Sequence, residues 1–167
     1  MKKISILLIC LLATAAVWSQ QEKSPDGHHS GITQRGDHAM GFSHEKTTHH
    51  FRLFKDGGAI EVTTNDPADT ESRDVIRMHL AHIAKMFATG NFRVPMFIHD
   101  TDPPGAKVMA ELREEIKYGF EEIDQGGKLR ISTQNPKALE AIHAFLRFQI
   151  KEHLTGDATE VPGEDGK

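Results

Sequence analysis

The stretch from Phe51 to Pro67, FRLFKDGGAIEVTTNDP, and the stretch from Phe120 to Pro136, FEEIDQGGKLRISTQNP, decide how this chain folds. At a constant offset of 69 residues they set Phe51 on Phe120, Gly57-Gly58 on Gly126-Gly127, Ile60 and Val62 on Leu129 and Ile131, and Pro67 on Pro136. Each copy reads as a strand, a Gly-Gly turn, a second strand with alternating apolar residues, and an Asp/Asn-Pro pair that opens a helix. The unit is ββα, used twice.

Helical periodicity extends each copy. From about Thr70 to Ala88, residues Ile76, Leu80, Ile83 and Phe87 recur on one face, and Thr89-Gly90-Asn91 marks the end. From about Pro136 to Leu154, the face is Leu139, Ile142, Leu146 and Ile150, stopping at Thr155-Gly156. Helices of about nineteen residues reach roughly 28 Å, enough to cross a sheet. Between the units, Val94 to Ile98 is expected as a short edge strand despite Pro95, and Gly105 to Arg113 as a short helix. Two hairpins merging into a four-stranded antiparallel sheet, with both helices on one side, bury every apolar face at once. The fold class expected is therefore α+β, a two-layer sandwich. A pseudo-twofold axis, or a homodimer that completes the sheet, follows naturally from the duplication.

Residues 1–19, MKKISILLICLLATAAVWS, read as a secretory signal: Lys2 and Lys3 form the basic start, Ile4 to Val17 the apolar run, and Val17-x-Ser19 suits cleavage before Gln20. The expected location is periplasmic or secreted, with no membrane attachment after cleavage. Cys10 follows Ile9 inside the apolar run, which is the wrong setting for a lipid-accepting cysteine. It leaves with the signal, so a mature chain would have no thiol and hence no disulfide or thiolate metal site. Residues 20–36 are expected to be a flexible leader, 37–154 a single domain with units at about 48–88 and 116–154, and 155–167 a flexible tail.

Without Lys2 and Lys3, 18 basic residues face 24 acidic ones, a net charge of −6 with histidine neutral. Nucleic acid and anionic lipid both require a basic face and are not expected as partners. Histidine is what the chain has in excess, eleven in all and every one beyond the signal.

Read as an extended segment, Asp37 to His44, DHAMGFSH, puts His38, Met40, Phe42 and His44 on one face. Imidazole with thioether suits copper in an oxidising compartment, with zinc as the second candidate. The candidate metal ligands are His38, Met40 and His44. His79 and His82, one turn apart on the first long helix with Met86 nearby, are candidate completers. His49-His50 can supply further ligands. The bland readings are a polar strand carrying histidines for solubility, and helical histidines that border the core. His143 reads as such a core-edge residue, and His153, in a last helical turn, would be favoured by the helix dipole if charged.

Enzyme signatures are missing: the chain has no phosphate loop, no G-x-G-x-x-G, no G-x-S-x-G elbow and no H-E-x-x-H. His99 beside Asp100 and Asp102 is the one general-base candidate. The leading expectation is thus an exported, non-catalytic binding protein for a transition metal. The alternative is an interaction or small apolar ligand module built on the sheet face or on a pocket beneath the helices.

The segments from Arg35-Gly36-Asp37 through Met40-Gly41-Phe42, HHFRLFKDGGAIEV, VPMFIHDTDPPG and AIHAFLRFQIKEHLTGD resemble a family of small exported bacterial proteins without established activity, over about residues 35 to 157. The resemblance implies export and a single domain. An aspartate carbamoyltransferase label, which such sequences can carry, does not suit this chain: it has no S-T-R-T phosphate loop and is too short for two α/β domains.

Overall fold

Both Gly-Gly pairs open a strand rather than form a turn. In the computed structural model, which describes residues 25–163, β1 (Thr47–Phe54) and β2 (Gly57–Thr64) are joined through Lys55-Asp56. Likewise β3 (Ile116–Ile123) and β4 (Gly126–Thr133) are joined through Asp124-Gln125. Only the first pair contains a residue at positive φ, Gly57 at 144°. What the glycines supply is room. A Cβ on Gly58 would strike Leu146 and the Arg52 carbonyl, and one on Gly127 would come within 2.8 Å of the Phe120 ring and 3.1 Å of Leu80.

The two hairpins join through β2 and β4 into one four-stranded antiparallel sheet of order β1-β2-β4-β3. Two long helices, α2 (Thr70–Ala88) and α5 (Pro136–His153), pack against the face that Gly58 and Gly127 share, an arrangement consistent with the two-layer sandwich expected. They cross over: α2 lies chiefly on β3 and β4, and α5 chiefly on β1 and β2. Each unit's helix therefore covers the other unit's hairpin. The core between them holds Phe51, Leu53, Ile76, Leu80, Leu129, Ile131, Ile142 and Phe145.

Local chemistry sets the helix ends. Asp69 caps α2 by accepting from the Ser72 N–H at 3.0 Å, and Gly90 at φ 76° follows its last turn. Asn135 caps α5, accepting from Lys137 and Ala138 N–H at 2.8 and 3.1 Å, with Pro136 at the first helical position. On α5 the buried stripe is Ala138, Ala141, Ile142, Phe145, Leu146, Gln149 and Ile150; Leu139, expected on it, is half-buried at its border.

Three segments differ from expectation. Val94–Ile98 is not an edge strand but part of α3 (Arg93–His99), because Pro95 sits in a first turn whose N–H groups have no helical acceptor anyway. The expected short helix is present as α4 (Ala106–Glu111). Residues Pro25–Met40, expected as leader and strand, form helix α1. It stops where Gly41 takes φ 80° and its N–H bonds the Asp37 carbonyl at 3.0 Å. The segment after α5 is packed as far as it is described: Asp157 accepts the edge N–H of Phe51 at 2.9 Å, Arg147 Nε donates to the Thr159 carbonyl at 2.7 Å, and Val161 is buried. The expected signal, residues 1–19, lies outside the described residues.

Candidate functional site

Five elements bring a polar or thioether side chain to one end of the sheet. Met40 is the last residue of α1, His49 lies on the helix-facing side of β1, His79 on α2, His99 ends α3 and His153 ends α5. Gly41 turns the chain so that Phe42 enters the core and packs against two of them, its ring 6.0 Å from that of His49 and 5.8 Å from that of His79. The imidazoles continue inward: His153 lies 5.9 Å from His49, 5.4 Å from the Phe51 ring and 5.1 Å from His99.

These side chains line a cleft with two compartments. The outer vestibule, about 280 Å³, is bordered by His29, His44 and Glu152. The inner chamber, about 70 Å³, has apolar walls that include Ile60, Leu80, Val94 and Phe145, edged by His79, His99 and Gln149. Met40, His49 and His153 border both compartments. Helix α1 is held over this cleft by Arg35 Nε, which donates to the Ile98 carbonyl at 2.8 Å, and by His28, 2.7 Å from Glu152 on α5.

Burial keeps these imidazoles uncharged. His49 is lowered to about 4, by desolvation first and then by His79 and His44, with Asp37 opposing. His79 is lowered to about 4 by burial and then by His82. His153 is lowered to about 3 by burial, then by His49 and His99. Burial also lowers His99, against the raising effects of Gln149 and Glu152. The favourable helix-dipole setting expected for a charged His153 is thus outweighed by its desolvation.

Hydrogen bonding in the cleft is incomplete. Among the described residues, five buried side-chain polar atoms have no partner within the protein. Four of them belong to residues lining the cleft: His29 Nδ1, His49 Nε2, His99 Nδ1 and Gln149 Nε2. The fifth is the Tyr118 hydroxyl. His99, 2 % exposed, has Nε2 2.9 Å from Gln149 Oε1, while its Nδ1 makes no hydrogen bond and lies 4.0 Å from Glu152 Oε2. Each such atom costs about 1–3 kcal/mol when unpaired, so the concentration in one place is energetically expensive.

Of the expected ligand set, the structure brings only Met40, His44 and His79 to the cleft, with Met40 and His79 at the inner chamber and His44 at the vestibule. His38 and His82 are exposed and line neither compartment. The single-face arrangement of His38, Met40 and His44 is lost because the first two lie on a helix, where i and i+2 point to different sides. His44 bonds Asp37 through both its backbone N–H, at 2.9 Å, and Nδ1, at 3.1 Å. No group of three or more His, Cys, Asp or Glu side chains among the described residues is arranged to hold a metal ion.

The general-base candidate is not assembled either, since His99 is buried against Gln149 while Asp100 and Asp102 are exposed. His143 is the core-edge residue expected, its Nε2 2.9 and 3.0 Å from the Phe54 and Gly57 carbonyls. The residues underweighted in the sequence are His49, His99 and His153. For His49 the signal was present: it shares the period-two face of Phe51 and Leu53.

Among the described residues no helix is long and apolar enough to cross a membrane. No protein-family model, no curated protein and no solved structure matches the chain.

Proposed function

We propose that the protein is an exported, non-catalytic binding protein whose small ligand occupies the cleft between α1, the β1 edge of the sheet and the ends of α3 and α5. One observation carries the reading: four of the five unpartnered buried polar atoms belong to residues that line this cleft, three of them imidazoles. A fold that leaves such groups unpaired at one place gains stability from whatever pairs with them there. The N-terminal signal pattern and the resemblance to small exported proteins agree with an extracytoplasmic role. An apolar organic ligand is the weaker fit. The inner chamber, at about 70 Å³, is roughly half the size of a cavity of about 150 Å³ that binds benzene.

The test is to follow the histidine ring nitrogens by NMR while Cu(I), Zn(II) and indole are added in turn. A ligand in the cleft should move the His49, His79, His99 and His153 signals and leave His38, His82 and His143 in place. If every probe moves only the latter three, the cleft is not a ligand site.

A further inference from the structure

We infer that the inner chamber is a site for a soft monovalent metal ion, Cu(I), held by the Met40 thioether, His49 Nε2 and the His79 imidazole. This rests on the reading of the cleft as the ligand site and names the class of ligand. Three elements deliver the three donors: the C-terminus of α1, the inward face of β1 and the middle of α2. His49 and His79 pack on the same Phe42 ring, and Met40 lines the chamber with both. His49, a residue lining the chamber, has its Nε2 buried and without a hydrogen-bond partner within the protein.

The chemistry of the lining selects the ion. The chamber is bordered by thioether, imidazole, one amide and hydrocarbon, with no carboxylate and no thiolate. A divalent ion held by neutral donors in apolar surroundings keeps its full double charge, and because the desolvation penalty grows with the square of charge, that is about four times the monovalent penalty. Hard ions prefer oxygen donors, whereas a thioether favours Cu(I). Size agrees, since about 70 Å³ is space for one or two waters or a single ion. Two imidazoles and one thioether are also a different donor set from the His, Cys, Asp and Glu triads that the described residues lack.

The test uses the exported chain without an affinity histidine tag, under anaerobic conditions, with Cu(I) partitioned against bicinchoninate. Ag(I) serves as a non-oxidisable stand-in, followed by the ring signals of His49 and His79 and by the methyl signal of Met40. One ion per chain is expected, with all three residues perturbed. Met40→Leu, which conserves volume, should weaken Cu(I) binding by about tenfold or more and leave Zn(II) binding unchanged. His79→Gln should weaken Cu(I) similarly, while His38→Ala and His82→Ala stay within about twofold of the parent. The inference is overturned if the parent does not compete with bicinchoninate, or if Met40→Leu and His79→Gln bind Cu(I) as the parent does. If Zn(II) or indole shifts the cleft histidines while Ag(I) does not, the soft-metal inference falls and the cleft reading stands. If no probe shifts them, both fall.

Discussion

Ile60 pairs with Leu129 across the β2–β4 junction, and the two are separated by 69 residues, the offset of the duplication itself. The pairs on either side, Gly57↔Ser132 and Thr63↔Gly126, exchange with each other under the same offset. A pseudo-twofold axis therefore passes between Ile60 and Leu129. Both side chains point at the helices, so the centre of the sheet is also the centre of the core.

Leu129 is fully buried at this axis. Leu129→Ala should destabilise the protein by about 2–5 kcal/mol, the range for a leucine cavity that cannot fully collapse. Urea denaturation measures it, and a change below about 1 kcal/mol would mean that the junction tolerates a void.

Two of the second hairpin's glycines, Gly127 on β4 and Gly119 on β3, separate packing from backbone freedom. Gly127→Ala puts a methyl against the Phe120 ring and Leu80 and should lower the melting temperature clearly. Gly119→Ala, on β3, meets nothing within 4 Å and has a negative φ, so it should be neutral or stabilising by up to about 1 kcal/mol. Equal effects of the two substitutions would contradict this packing account.

Acid should weaken the fold through its buried histidines. In the unfolded chain His49, His79 and His153 take up protons near 6.5, but in the folded one only near 4, 4 and 3. Between these limits the unfolded state binds more protons, so stability present above pH 6.5 is lost as pH falls towards about 4. The slope is about 1.4 kcal/mol per pH unit for each histidine. For Asp157, burial acts to raise the pKa, but the bonds from Phe51, Thr155 and His50 outweigh it and leave it lowered. Its share of stability is present above the ordinary carboxylate range and disappears only below it. Urea midpoints at pH 7.5, 6 and 5 should fall in that order, and a flat profile would count against neutral buried imidazoles.

Asp157 accepts from Phe51 N–H at 2.9 Å, from Thr155 Oγ1 at 2.7 Å and stands 2.8 Å from His50 Nδ1. Asp157→Ala should cost about 1–3 kcal/mol and speed hydrogen exchange at the Phe51 amide more than at residues of β4. Unchanged exchange at Phe51 would show that this bond contributes nothing in solution.

Much of the fold was legible because the duplication repeats every local signal. The turn-strand-cap pattern appears twice at one spacing, and α2 begins and ends where its periodicity says, at Thr70 and Ala88. What failed lay where a short polar stretch has no period of its own. DHAMGFSH reads as an alternating strand, but Gly41 is the left-handed stop of α1, whose Ile32 and Gly36 are buried. Val94–Ile98 misled through its β-branched residues, although Pro95 fits a first helical turn better than a strand. The cleft was only half legible. Met40 and His79 were candidates from their residue types, but their meeting with His49, His99 and His153 depends on the crossing of helices over the opposite hairpins, which no local spacing encodes.

The clasp at Asp157 also bears on what the sheet can do beyond one molecule. A sheet with two open edges can recruit neighbours without limit, each added copy offering a fresh edge to the next. Here the Phe51 amide at the middle of β1 is already taken by the chain's own C-terminal segment, while among the described residues no strand other than β4 pairs with β3. Association through β1 would have to displace that segment, whereas β3 meeting β3 would need no displacement and would consume the open edge of both molecules.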